Sequence, residues 1–148
     1  YADLKSRFHV QPYVPNAELV SYLSTADIGL IPIHHKLNHE ISLITKFGEY
    51  MQAKLPIVVS DVRTMAAEVR RLNIGEVFIA EDSDDFVRAV RQVLSKKEEY
   101  VNRYTDEILS ERSWERQAEN LVSIYNRVAE VNPDARQHKA FVIEQGLR

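Results

Sequence analysis

Between residues 42 and 61 the chain reads SLITKFGEYMQAKLPIVVSD, and three side chains there could do chemistry together: the Ser42 hydroxyl, the Lys46 ammonium and the Glu49 carboxylate. At about 100° per residue, Ser42, Thr45, Lys46 and Glu49 occupy one arc of a helix, while Leu43, Phe47, Tyr50 and Met51 occupy another. The spacing predicts an amphipathic helix over 42–53 with an organised polar side. A helix N-terminus offers unpaired backbone N–H groups to an anion. The amides of Ser42 to Thr45 therefore suit a phosphate, Lys46 would add a full charge, and Glu49 would accept hydrogen bonds from sugar hydroxyls. Gly48 costs about 1 kcal/mol against alanine inside a helix, which a close approach by backbone or ligand would explain. The plainer reading keeps Lys46 and Glu49 as a solvated ion pair three residues apart, weakly stabilising, with Ser42 as a cap.

Other groups compete for attention. His34, His35 and His39 share the loop HHKLNHE. Glu40 is their one partnering carboxylate, too little for a metal site, and a solvated or acceptor-side loop is the preferred reading. Ser60, Asp61 and Arg63, in SDVRTMAAE, follow an apolar run and are expected at the rim of the same crevice, because parallel strands point the same way. Asp27 is read as capping or starting a strand. Trp114 and Tyr125 are read as core anchors rather than a sugar-stacking platform.

The elements that must position these groups are legible from periodicity. RFHVQPYVP reads as a short strand stopped by Pro15, and Asn16 as the cap of a helix carrying Leu19, Tyr22, Leu23 and Ala26. DIGLIPI and PIVVS are nearly all apolar and of strand length, as strands buried on both faces of a parallel sheet are. A helix over 63–72 precedes a further strand, EVFIA. Asp82 or Ser83 then caps a helix with Phe86, Ala89, Val90, Val93 and Leu94 at helical spacing. Alternating strands and helices predict an α/β fold with a parallel sheet and right-handed crossovers. After about residue 96 the pattern is helical only. KEEYVNRYTDEILSER is followed by SWERQAENLVSIYNRVAE, which Ser113 opens, and both are expected to pack on the sheet. Asn132-Pro133 ends the last helix, so one domain is expected over 1–130 with a loosely held tail over 131–148.

Composition bounds the function. A chain of 148 residues that is 45% hydrophobic and 28% charged builds a sizeable core and is no disordered tail. A net charge of −3 with interspersed signs supplies no basic stripe for nucleic acid. Cysteine is absent, which excludes disulfides and thiolate metal sites. No apolar run approaches the roughly 18 residues of a membrane span. Tyr1 opens the chain with a strand expected soon after, so an N-terminal portion of a longer protein is expected before it.

Taken in order, TADIGLIPI, SLITKFGEYMQAKLPIVVSD, EVFIAEDSDDFVRAVRQVL and SWERQAENLVSIY resemble the C-terminal, donor-binding half of a GT-B glycosyltransferase, in particular glycosyltransferase family 4 (group 1). The resemblance runs over residues 8–128. It implies a Rossmann-like sheet flanked by helices and a nucleotide-sugar site. Glu49 matches the second glutamate of the family's Glu-seven-residues-Glu motif, which holds the ribose. Ser42, Leu43 and Ile44 fall where loop amides face the diphosphate or donor sugar, and Lys46 is implied as a phosphate or structural contact. The first glutamate's position is Ile41 here, with Glu40 beside it. DVRTM replaces the usual Gly-Gly pair, while Glu68 and Gly75 sit where the family often has Glu and Gly.

The resemblance further implies retaining transfer of a sugar from a UDP- or GDP-linked donor to a glycan or lipid-linked acceptor, with no metal and no cofactor beyond the donor. Polysaccharide or glycolipid synthesis, in the cytoplasm at the inner face of the membrane, is the implied setting. The first β-α unit of such a domain and the N-terminal acceptor domain lie outside the sequence, so the chain is expected to be inactive alone. The alternative is a non-catalytic glycosyltransferase-like binding or interaction module, which Ile41 and the absent glycine pair favour. A flavodoxin-like receiver is disfavoured, because no acidic cluster marks the strand ends.

Overall fold

Three of the four expected strands form, as β1 (Gly29–Ile31), β2 (Ile57–Ser60) and β3 (Gly75–Phe78), all parallel and in the order β1-β2-β3. Their register sets Gly29 opposite Ile57, and Ile57 opposite Gly75. The computed structural model describes residues 6–131. Central β2 is buried at every position, as a strand covered on both faces must be. β1 stops at Ile31, directly before Pro32, whose missing N–H cannot extend a ladder.

The helices of the sheet unit are α1 (Asn16–Leu23), α2 (Leu37–Ile41), α3 (Thr45–Gln52), α4 (Arg63–Leu72), α5 (Ser83–Ser95) and α6 (Lys97–Val101). α3 buries Phe47 and Met51, and α4 buries Met65, Ala66, Val69 and Leu72 against β2 and β3. Val58 turns the other way and packs with Phe78, Ala89, Val93 and Tyr100. Asp82 caps α5 by accepting the Asp84 and Asp85 amides at 3.0 and 2.9 Å. Asn73 closes α4 in the left-handed region, at φ 52°, which asparagine tolerates better than most residues. The fold is therefore α/β and Rossmann-like, as the alternation predicts.

Three expectations need correction. Residues 8–14 form no strand, and Phe8, Val10 and Tyr13 are all about four-fifths exposed. Pro12 and Pro15 each remove an N–H from this short segment, and no described strand lies beside it. Asn16 is the first residue of α1 rather than its cap, a position taken by Pro15 without a capping side chain. The helix expected over 42–53 begins only at Thr45. Ser42 (φ −94°, ψ 145°) and Ile44 (φ −69°, ψ 152°) are extended, and the Ser42 hydroxyl donates back to the Asn38 carbonyl, which closes α2 instead of opening α3.

Two glycines are forced by neighbours. A β-carbon on Gly75 would lie 1.8 Å from the Ile57 carbonyl oxygen, and one on Gly29 would lie 2.3 Å from Cδ2 of Tyr50. Gly48 faces open space, with nothing within 4 Å of an added β-carbon, so no close backbone approach accounts for it.

The chain divides into two units, Tyr1–Thr105 and Asp106–Arg148. In the second, α7 (Asp106–Glu111) leads to α8 (Trp114–Val131). Ser113 accepts the Arg116 amide at 3.2 Å, the opening role its position predicts, and the Gln117 side chain donates to the Glu111 carbonyl at 2.9 Å. α8 has no buried residue, and Trp114 is 80% exposed, so Trp114 and Tyr125 are not core anchors. Residues 132–148 of the expected tail, with Asn132-Pro133, lie outside the described residues. No helix among the described residues is long and apolar enough to cross a membrane.

Candidate functional site

Because the strands are parallel, the connections that leave β1, β2 and β3 meet at one edge of the sheet. Ser60, the last residue of β2, ties the first two together. Its buried hydroxyl accepts the Ile33 N–H at 3.1 Å and donates to the Ile33 carbonyl at 2.6 Å. Ser60 is thus a buried strap beneath the edge rather than a rim residue.

Above it lies a network of charges that joins all three connections. His35 Nδ1 meets a Glu40 carboxylate oxygen, and its Nε2 meets Asp61 Oδ1 at 2.9 Å. The other Glu40 oxygen accepts the Arg63 amide at 2.7 Å, and the Thr64 hydroxyl donates to the Glu40 carbonyl at 2.7 Å. Asp61 Oδ1 also accepts the Ala80 amide at 2.9 Å, which brings in the β3 exit. The hydrogen bonds from Glu40 and then Asp61 raise the His35 pKa above its ordinary 6.5. The Arg63 amide, followed by His35, holds the Glu40 carboxyl below its usual value. Burial works against the Asp61 charge, yet the Ala80 amide and His35 outweigh it and keep Asp61 low. Arg63 itself is exposed.

The expected site residues lie on and before α3. Lys46 is exposed and Glu49 half-buried on the helix, while Ser42, Leu43 and Ile44 form the extended, half-buried approach to it. The plainer reading of Lys46 and Glu49 as an ion pair is not what forms: among the described residues neither side chain makes an ion pair or hydrogen bond. Burial, then the Glu49 charge, raises the pKa of neighbouring Tyr50. No side chain caps α3, whereas the α4 N-terminus is occupied by the Glu40 carboxylate on the Arg63 amide. At these two helix starts, the first amide of α4 is taken by Glu40, whereas the first two amides of α3, those of Thr45 and Lys46, have no partner among the described residues.

The histidines go to separate partners. His34 Nδ1 lies 2.9 Å from Glu81 Oε1, His35 takes the two carboxylates above, and His39 Nδ1 donates to the His34 carbonyl at 2.7 Å. Among the described residues no three His, Cys, Asp or Glu side chains are placed to hold a metal ion. Asp27 pairs with Lys97 at 2.7 Å.

A pocket of about 350 Å³ opens between the exits of β1 and β3. Pro32, Ile33, Phe78 and Phe86 form its apolar walls, and His34 and Glu81 stand at its mouth. Ser42, Leu43, Ile44, Lys46 and Glu49 do not line it. Glu40 partners His35 as its place beside the histidines suggests, and the partner that the sequence does not reveal is Asp61. Asp61 lies 26 positions from His35, and the one clue available was that successive parallel strands deliver their exits to a common edge.

No curated protein and no solved structure matches this chain. The family model described as "Glycosyl transferases group 1" matches residues 1–96, about two thirds of the sequence, and takes in the whole sheet with α3 and its approach. The chain therefore belongs to the group 1 glycosyltransferases.

Proposed function

We propose that this chain is the donor-binding part of a GT-B glycosyltransferase and that α3 receives the nucleotide portion of a UDP- or GDP-linked sugar. One observation carries the reading. At an edge where His34, His35, Glu40, Asp61 and Glu81 are all engaged, Lys46 and Glu49 stand without a side-chain partner beside an uncapped helix N-terminus. The open amides of Thr45 and Lys46 and the Lys46 ammonium suit a diphosphate, and Glu49, a turn further on, suits ribose hydroxyls. Ser42, Leu43 and Ile44 line the approach. In transfer, the leaving nucleoside diphosphate gains negative charge, which a fixed cation and a helix dipole stabilise without reorganising. The reaction is retaining, and the acceptor, a glycan or lipid-linked sugar, is held by the acceptor domain of the GT-B architecture. Polysaccharide synthesis in the cytoplasm, at the inner face of the membrane, is the setting we assign.

A second reading, a non-catalytic module with the same fold, is favoured by one observation. Ile41 stands where the first glutamate belongs and is 65% exposed, while the neighbouring Glu40 carboxylate is committed to the Arg63 amide and His35. Glu40 therefore does not substitute for the missing glutamate. Titration of the 148-residue chain with UDP and with GDP, followed by amide NMR, separates the readings. Shifts confined to Ser42–Glu49, weakened about tenfold by Glu49→Ala, support donor binding. A dispersed spectrum that millimolar nucleotide leaves unmoved rejects it in favour of the module.

A further inference from the structure

Among the described residues His35 is the one side chain that hydrogen-bonds both Glu40 and Asp61, and each of those carboxylates also holds a backbone amide of another connection. Glu40 reaches Arg63 at the start of α4. Asp61 reaches Ala80 after β3. A neutral imidazole has one N–H and one lone pair, so it can donate to only one of two carboxylates and turns its lone pair towards the other. The imidazolium donates to both. The observed arrangement, with a carboxylate at each ring nitrogen, is therefore the arrangement of the protonated ring.

We propose that His35 is a positioning residue that acts as a proton-operated clasp: as an imidazolium it links the β1–α2 connection to Asp61 of the β2–α4 turn, which in turn holds the β3 exit, and loss of the proton gives up one of its two carboxylate bonds and loosens the connection, which Ser60 and Thr64 still hold. The segment it helps to hold, residues 32–44, runs without interruption into the α3 N-terminus, so the clasp bears on where Ser42 to Lys46 sit. The clasp stands on the geometry of the edge; its effect on donor affinity rests on the donor-binding reading above.

The charged and titratable groups around the ring fit this role. From its own connection come His34, which faces Glu81, and the exposed Lys36; from α2 come Glu40 and His39, the latter bonded to the His34 carbonyl. From the β2–α4 turn come Asp61 and the Arg63 guanidinium, whose charge helps to keep Glu40 ionised. From the β3–α5 turn come Glu81 and Asp82, the latter held on the α5 amides. Glu40 and Asp61 are the two in contact with the ring, and both favour its charge. The raised pKa of His35 and the lowered values of Glu40 and Asp61 define the window. The clasp is lost on the acid side as pH falls through the carboxylate values and on the basic side as pH rises through the His35 value.

The test is NMR of the full 148-residue chain from acid to mildly alkaline pH, following the His35 ring protons together with the Arg63 and Ala80 amides. The expected result is a His35 midpoint above the ordinary 6.5, with both amides moving at that midpoint. Asp61→Asn keeps an oxygen for the Ala80 amide but removes the charge, and should lower the midpoint. His35→Gln should abolish the step at both amides. A His35 midpoint at or below the ordinary value, or amides that ignore it, overturns the clasp, and the wild-type titration alone decides this if a variant fails to fold. For the donor consequence, UDP affinity is compared below and above the midpoint in wild type and in His35→Gln. A loss of about fivefold or more at the higher pH, absent in the variant, supports positioning. An equal pH dependence in both belongs to the nucleotide's own phosphate and overturns it. If UDP and GDP bind at no pH, the donor reading falls while the ring and amide titrations still decide the clasp.

Discussion

Replacing Ser60 with alanine tests the joint between β1 and β2. The serine hydroxyl both accepts from the Ile33 N–H and donates to the Ile33 carbonyl, and Ser60 is fully buried. Alanine fits the same space but leaves two backbone groups without their partner. A dry, unpaired backbone group costs about 1–3 kcal/mol. Ile33 is half-buried, so water can reach part of the gap, and the two losses together should come to about 2 kcal/mol. Urea unfolding followed by circular dichroism reads this directly, as a midpoint lowered by about 1 M with an unchanged slope. The Ile33 amide should lose its protection from hydrogen exchange at the same time. A destabilisation within about 0.5 kcal/mol, the range of an indifferent surface change, would refute the view that this hydroxyl fastens the β1 exit.

Other outcomes follow from the same geometry. Gly48→Ala should stabilise the fold by about 0.5–1 kcal/mol, because a helix interior prefers alanine and the space is open, and a thermal melt will show it. Gly75→Ala should do the opposite: a β-carbon 1.8 Å from the Ile57 oxygen forces β3 away from β2, and we expect a loss above about 3 kcal/mol, visible as a collapse in soluble yield. Asp82→Ala should cost about 1 kcal/mol in urea midpoint through the loss of the α5 cap. Glu40, held low first by the Arg63 amide, and Asp85, held low first by Arg88, stabilise the fold above their ordinary values of 4.5 and 3.8. That contribution should fade as pH falls through their depressed values, which an acid unfolding curve will record.

What could be read beforehand depended on whether the signal was local. The runs DIGLIPI and PIVVS announced β1 and β2 because a strand covered on both faces has no room for polar residues, and Arg63–Leu72 was delimited by its own periodicity. The wheel failed at Ser42 because periodicity cannot register a break that leaves the apolar spacing intact. The β-branched Ile41, Ile44 and Thr45, poor helix formers, were the available warning. Residues 8–14 alternated well enough for a strand, but strandhood needs a neighbour, and the described sheet provides none there. The place of Ser60 at the end of an apolar run suggests a rim residue, whereas its role depends on Ile33, 27 residues away. The histidine cluster suggests ligands, whereas His35 pairs with nearby Glu40 and with Asp61, which only the sheet brings to it.

The contact between Gly29 and Tyr50 has a mechanical consequence. The tyrosine ring occupies the volume that a β-carbon on Gly29 would claim, so the strand forms a socket and α3 carries the key. A key fixes more than depth; it fixes the angle of the helix about its own axis. Glu49 is the adjacent residue, about 100° around the same axis. Side-chain tips ride about 5–6 Å from a helix axis, so a turn of only about 10° would carry the Glu49 carboxylate sideways by about 1 Å. The absence of a single methyl group in the strand thus acts as the angular index of a carboxylate on the helix surface.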